Sequence, residues 1–304
     1  MKNHNYTSGI DPARPLLRSL LQKAVRRGYP DIVQKVVSIL ADYGDTSWVH
    51  SRAGVIAFEE CWTCGYLLAS GTPPIVTLHK VATVKKNKDA AGLGSLAYAA
   101  VGGSSDAIET SIDPVSVKIV AAAIRRPDDF FNWAVSECQT ESQLAIVLAA
   151  KRFISKASWP WDKAFMIAGA YLSCKGKAKI IEDSSSIPTA DFPYWVAVDK
   201  HTPQGKKALR QVALELGVSE NILGWASFYF ESSKLNEEIS SLWWGNESRW
   251  RFETLGSSSE EAKKLWKEAA PKIESIVQAQ SERLLRLVEC SSRRGGGSSG
   301  FELV

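Results

Sequence analysis

The sequence predicts an all-α fold, a multi-helix bundle in two helical parts. Apolar residues recur at helical spacing through most of the 304 residues, and the alternating pattern of a half-buried strand is nearly absent. Only residues 187–198 leave room for one short strand or hairpin. A hydrophobic share of 45% and eleven tryptophans supply enough apolar surface for a sizeable core.

Three amphipathic helices are expected at the start of the chain. The first covers residues 15–28 and the second residues 30–44, because proline opens each apolar stripe and glycine closes it. A third starts near Ser47 and runs to the region of Cys61. Short turns between helices favour antiparallel neighbours, so these three are expected to begin a bundle.

The middle of the chain continues the helical pattern. Asp113 is an expected N-cap, with Pro114 in the first turn of the helix that follows. Further helices are expected over residues 126–138, 141–155 and 161–174.

A polar stretch with two prolines, residues 177–193, is the expected boundary between the two parts. Residues 10–180 are expected to form the first helical domain and residues 190–290 the second. Residues 291–304 are a tail that is flexible by composition.

Two helices stand out in the second part. Thr202 and Pro203 are expected to start one of them, since a threonine hydroxyl caps free amides and proline fits the first turn. Gly217 is expected to end it. The other is a long Glu- and Lys-rich helix over about residues 259–288, in which Pro271 is expected to cause a kink.

Composition and charge limit the classes of protein to which the chain can belong. The formal net charge of +4 permits contact with nucleic acid without requiring it. No apolar stretch approaches the length of a membrane span, and the N-terminus lacks the apolar core of a signal peptide. Five scattered cysteines indicate reduced thiols rather than a disulfide framework. A cytoplasmic protein without a membrane partner is expected.

Nucleotide and metal motifs are missing or fail in their context. No P-loop pattern occurs. Gly92 and Gly94 follow a polar segment rather than a strand, which favours a turn into a helix over a dinucleotide site. Cys61 and Cys64 have C-x-x-C spacing without a second pair of ligands, so two buried thiols are expected. The sequence therefore predicts no cofactor and no metal site.

Two segments combine carboxylates with other polar groups. Glu59 and Glu60 diverge on their helix, so a structural ion pair, for example with Arg52, is favoured over an acid–base dyad. Asp199 and His201 lie just before Thr202, and an Asp-x-His pair can orient an imidazole. These two residues are the only catalytic candidates, and helix punctuation is the favoured interpretation of their segment.

Basic residues recur in clusters, several of them near helix C-termini, where cations suit the helix dipole. If the clusters share a face, they form a surface that follows phosphates, with Trp159 or Trp161 available to stack on bases. The candidate nucleic-acid-binding residues are Lys23, Arg26, Arg27, Lys85, Lys86, Lys151, Arg152, Lys206, Lys207 and Arg210.

An aromatic run over residues 225–252 exceeds what one helix face can bury. Its rings are expected to lie in the core between the two halves, and a docking surface is the alternative, since Trp and Tyr anchor interfaces. The residues concerned are Trp225, Phe228, Tyr229, Trp243, Trp244 and Trp250.

Residues 12–110 resemble the C-terminal helical region of clamp-loader-like AAA+ ATPases, the replication-associated recombination proteins. That family has a Lys-[Ala/Ser]-x-Arg patch, a turn with Asp, and an Arg-rich helix that ends Ala-x-Glu-Asp. The matching residues here are Lys23, Ala24, Arg26, Asp31, Arg52, Val55, Ala57 and Glu59, with Glu60 in place of the usual Asp. The resemblance implies an all-α module that mediates oligomerisation and partner contacts at replication forks. The ATPase domain is absent from this sequence, so no ATP-driven activity carries over.

These observations favour a non-catalytic helical module, bacterial or phage-borne, in DNA replication or recombination or in their interference. Its expected partner is DNA or a replication or repair protein, and self-association stays open. One alternative is a metal-assisted hydrolase that uses Asp199 and His201 with a carboxylate such as Glu231 or Asp191. The other is a protein-interaction adaptor that docks through the aromatic run.

Overall fold

The computed structural model describes residues 13–177, 181–186, 188–239 and 241–294. Within these ranges the protein has fifteen α-helices, two isolated β-bridges and no strand, which confirms the predicted all-α class. The first eight helices are α1 (Ala13–Arg26), α2 (Pro30–Asp42), α3 (Thr46–Glu60), α4 (Gly65–Ala69), α5 (Pro74–Thr83), α6 (Asp89–Val101), α7 (Asp106–Glu109) and α8 (Pro114–Arg125). The others are α9 (Pro127–Glu137), α10 (Glu141–Ile154), α11 (Pro160–Cys174), α12 (Pro203–Leu216), α13 (Glu220–Ser227), α14 (Leu242–Glu253) and α15 (Ser259–Arg294).

Most helix boundaries follow the local signals. Each of α1, α2 and α3 begins within two residues of its predicted start, and Asp113 caps α8 by accepting a hydrogen bond from the Ser116 amide. The long helix α15 continues on both sides of Pro271 and extends to Arg294. The rest of the predicted tail, residues 295–304, lies outside the described residues.

Within residues 187–198, where one short strand was allowed, Tyr194–Ala197 form a 3₁₀ helix and residues 188–193 form no strand, while residue 187 lies outside the described residues. The amide of Val196 donates to the carbonyl of Pro193, and the amide of Val198 donates to that of Trp195. These local bonds satisfy the backbone where no neighbouring strand is available to pair with it.

Helix α6 lies at the centre of the fold and packs against α8, α11 and α14. Gly92 and Gly94 lie inside α6, so the predicted turn at this point is wrong. A Cβ at Gly92 would lie 2.3 Å from the carbonyl carbon of Trp243. Glycine at this position therefore allows the backbones of α6 and α14 to touch.

One hydrophobic core contains residues of both sequence halves. Helix α14 packs on α6, the 3₁₀ helix Tyr194–Ala197 packs on α1, and α15 packs on α2. The division into domains at residues 177–193 stays a prediction. In the described part of the chain, no helix is both long enough and apolar enough to span a bilayer.

Cys61 and Cys64 are buried free thiols, as their spacing predicted. A hydrogen bond with Cys64 lowers the pKa of Cys61 to about 7, and the same bond, together with burial, raises the pKa of Cys64.

Candidate ligand-binding cavity

The segment that precedes α12 is a capped helix start. The Thr202 hydroxyl accepts a hydrogen bond from the Gly205 amide at 3.1 Å and donates one to the Asp199 carbonyl at 2.9 Å. A Cβ at Gly205 would lie 2.0 Å from the Asp199 carbonyl oxygen, so glycine lets this segment fold closely onto α12. The predicted N-cap is confirmed.

The Asp199 carboxylate is a structural anion. It forms an ion pair with Lys23, and both side chains are almost fully buried. His201 Nδ1 lies 3.1 Å from Asp199 Oδ2, while the imidazole itself is 44% exposed. Burial alone would raise the pKa of Asp199, but the Lys23 ammonium and His201 hold it well below its usual range.

The three carboxylates of the hydrolase hypothesis have different surroundings. Asp199 forms an ion pair with Lys23. Glu231 accepts hydrogen bonds from Arg27 Nη2 and Trp266 Nε1. Asp191 is exposed. Among the described residues, no group of three His, Cys, Asp or Glu side chains is placed to hold a metal ion.

A second buried ion cluster lies beside the first. Arg26 donates to Glu60 and to Glu59, each at 2.6 Å, and Lys88 Nζ lies 3.0 Å from Glu60. Burial would raise the pKa of Glu60, but Arg26 and Lys88 lower it to about 2. Structural ion pairs are therefore present as predicted, but their cations are Arg26 and Lys88.

Arg52, the partner suggested by helical spacing, pairs with Asp162 at 2.6 Å instead. The two side chains come from α3 and α11. Packing between helices that are distant in sequence therefore decides the partner of Arg52.

The ten basic candidates divide into two groups. Four are buried. Lys23, Arg26 and Arg27 form ion pairs, and Lys86 donates hydrogen bonds to backbone carbonyls at the end of α5. The exposed six are Lys85, Lys151, Arg152, Lys206, Lys207 and Arg210. Of these, Lys151 and Arg152 lie on the last turn of α10, shortly before Lys156.

A cavity of about 660 Å³ opens where the two halves meet. Helices α1 and α3 line one side, α13 and α14 line another, and the segments before α11 and α12 border its mouth. Its volume is typical of small-molecule sites. The lining holds seven lysines and arginines against three carboxylates: Arg18, Lys23, Arg26, Arg52, Lys156, Lys200 and Arg251 against Glu59, Asp162 and Glu247.

Aromatic rings of the predicted run form one wall. The Trp225 ring lies 5.5 Å from Phe228 and 6.1 Å from Trp161, centroid to centroid. Trp244 lies 6.1 Å from Phe228. Trp243 and Trp250 are buried in the core. The run therefore lies in the core between the halves, as expected, and part of it faces the cavity.

Lys200 and Arg251 share the Trp225 ring. Lys200 Nζ lies 3.6 Å and Arg251 Cζ 4.3 Å from its centroid. Arg251 also pairs with Glu247 at 3.2 Å, whereas Lys200 has no ion pair or hydrogen bond with any described residue. Burial lowers the pKa of Lys200 to about 7.

The mouth of the cavity carries exposed aromatic and cationic side chains. Trp159 is 56% exposed, and its ring centroid lies 6.2 Å from that of His201. Lys156 lies on the same rim. Arg18 is held by Asp45 and by the ring of Trp48, 4.9 Å from the centroid.

Sequence reasoning missed Lys200, Arg251 and Trp48 as cavity residues. The surplus of tryptophans was the available signal, but it did not indicate which rings face a cavity. Comparisons with protein-family models, with curated proteins and with solved structures find no match to this chain.

Proposed function

We propose that this chain is a non-catalytic helical module that binds single-stranded DNA through the cavity and its rim. The observation that carries the proposal is the exposed Trp159 beside Lys156 and His201, at the mouth of an aromatic and cationic cavity. Single-stranded nucleic acid is bound by such pairs of features, because a base stacks on an indole while a cation attracts the phosphate.

The charge of the lining supports an anionic ligand. Five of its seven lysines and arginines pair with carboxylates, whereas Lys156 and Lys200 form no ion pair with a described residue. Lys151 and Arg152, both among the residues expected to contact nucleic acid, extend the positive charge from Lys156 along the last turn of α10. A strand that leaves the cavity would follow this edge.

The size of the cavity supports a single strand over a duplex. A volume of about 660 Å³ suits one unstacked nucleotide, while paired bases stay inside their helix. The predicted resemblance of residues 12–110 to replication-associated proteins implies partner contacts at replication forks. A replication protein as partner stays a prediction.

Fluorescence anisotropy of a labelled oligo(dT) tests the proposal at about 50 and 200 mM salt. We expect Trp159→Ala to weaken binding by about 5- to 150-fold, since one base stack is worth about 1 to 3 kcal/mol. Trp133→Ala is the matched control, because Trp133 is 38% exposed on α9 and does not line the cavity.

Two results would overturn the proposal. The first is no binding at the lower salt concentration, and the second is an equal loss in both tryptophan variants. A replication protein recovered by pull-down, together with absent DNA binding, would identify the partner as protein.

A further inference from the structure

We propose that Lys200 is a nucleophilic amine that forms an imine with a small aromatic aldehyde bearing an anionic group. This inference goes beyond DNA binding and rests on Lys200 and the cavity around it. A nucleophilic lysine needs access to a ligand, a neutral amine at working pH, and a pocket that fits the carbonyl compound.

Access is provided by the cavity. Lys200 lies in its lining, between the buried Asp199 and the exposed His201. Its ammonium group packs on Trp225, and the Phe228 centroid lies 4.5 Å from Nζ. A ligand in the cavity would therefore meet this amine on the aromatic wall.

Two carboxylates near Lys200 favour its charged form, but each of them also pairs with another cation. Asp199 lies next in sequence, but it is held by Lys23 from α1. From α14, Glu247 is held by Arg251 and by Tyr229, whose hydroxyl donates to it at 2.5 Å.

Two cations lie close to Lys200. The Arg251 guanidinium shares the Trp225 ring with Lys200, and Lys23 also carries charge of the same sign nearby. Burial, supported by these cations, outweighs the attraction of Asp199 and Glu247 and favours a neutral amine, which is the usual activation of a nucleophilic lysine. The lowered pKa of Lys200, about 7, agrees with this arrangement.

The walls indicate the class of the carbonyl compound. Trp161, Trp225 and Trp244 present ring surfaces to a planar ligand. Lys156 lies at the mouth without an ion pair to a described residue, and it favours a phosphate or carboxylate on that ligand. The open mouth lets water leave after condensation.

The reaction is a condensation without change of oxidation state. The lone pair of Nζ bonds to the aldehyde carbon, the carbonyl π electrons move to oxygen, and a proton passes from nitrogen to that oxygen. The resulting carbinolamine loses its hydroxyl group and the remaining N–H proton as water. The C–O bond breaks as the C=N bond forms, and no other reactant is needed.

Pyridoxal 5′-phosphate, used as a reagent, followed by borohydride reduction and peptide mapping, tests the inference on the whole protein. We expect one predominant adduct, on Lys200, formed at least about tenfold faster near pH 7 than adducts on exposed lysines. Its rate should rise with pH and level off above the lowered pKa of about 7. Lys200→Arg should remove this adduct, and Lys118→Arg should keep it, since Lys118 is exposed on α8.

Adducts spread evenly over exposed lysines would overturn the inference. So would a Lys200 rate that rises only above about pH 9 in the wild-type protein, a result that does not depend on how any variant folds. Equal rates with uncharged benzaldehyde would overturn the anionic part of the ligand class. Labelling of Lys200 in a protein that does not bind oligo(dT) would contradict the proposed function and leave this inference standing.

Discussion

Lys23 and Asp199 form a buried ion pair across 176 positions of the sequence. The pair joins α1 to the segment that precedes α12, and Asp199 also accepts hydrogen bonds from the amide and the imidazole of His201. The strongest catalytic candidate of the sequence is therefore an anchor between the two halves. It borders the cavity through its neighbours Lys200 and His201.

Asp199→Asn should destabilise the protein strongly. The substitution leaves the Lys23 ammonium buried without its anion, which costs about 3 to 5 kcal/mol for a pair of this kind. Urea denaturation measures the loss as a lower midpoint. Asp191→Asn is the matched control, because Asp191 is exposed, and it should change stability by less than about 0.5 kcal/mol. Similar midpoints for both variants would contradict the anchoring role of Asp199.

Acid should weaken the fold through Glu60. Its pKa is lowered from 4.5 to about 2 in the folded protein, so its contribution to stability is fully present above about pH 4.5. That contribution is lost as the pH falls through about 2. Denaturation midpoints measured between these pH values should fall less steeply for Glu60→Gln than for the wild type. Parallel curves would show that Glu60 does not titrate in this window.

Thr202→Ala should cost about 1 kcal/mol, the usual value of an N-cap hydroxyl. The hydroxyl of Thr202 bonds both the Gly205 amide and the Asp199 carbonyl, so Thr202→Ser should retain most of the stability. Thermal melting of the three proteins makes this comparison. A loss as large in the serine variant would assign the effect to packing of the threonine methyl group.

Gly205→Ala and Gly224→Ala should have opposite effects. A methyl group at Gly205 meets the Asp199 carbonyl at 2.0 Å, whereas nothing lies within 4 Å at Gly224 in α13. We expect a loss of about 1 to 3 kcal/mol at Gly205 and a gain of about 0.5 to 1 kcal/mol at Gly224. Denaturation midpoints measure both. Tolerance of alanine at Gly205 would mean that the segment before α12 can move away.

Lys156→Ala should reduce both the affinity for oligo(dT) and its dependence on salt. Removal of one phosphate contact lowers the slope of log K against log salt by about 1. Lys118→Ala removes the same charge from α8, outside the cavity, and should leave the slope unchanged. Equal slopes in both variants would assign the binding to another surface.

The local features of the fold could be predicted from the sequence, because their causes act within a few residues. Asp113 and Thr202 cap their helices through side chains that reach the amide three positions ahead. The apolar stripes of α1 and α2 follow from helical spacing in the same way. Helix α15 continues through Pro271, and the kink expected at this residue stays a prediction.

The candidate site could be predicted only in part. Lys23 and Arg26 were selected as basic residues that could face phosphate, but both are buried against carboxylates from distant segments. Trp159 was selected for stacking, and it does lie exposed beside the cavity. No sequence signal indicated Lys200, because its lack of an ion pair depends on the other partners of Asp199 and Glu247.

By itself, then, the sequence determined the all-α class, the starts of several helices and the chemistry available to a site. Tertiary structure alone decided which charges are neutralised and which face open space. The physical reason is the separation along the sequence over which each interaction acts. Capping and periodicity act within one or two helical turns. The partners of Lys23 and Arg26, in contrast, lie up to 176 and 206 positions away. Only the packing of helices from both halves brings such groups together around the cavity.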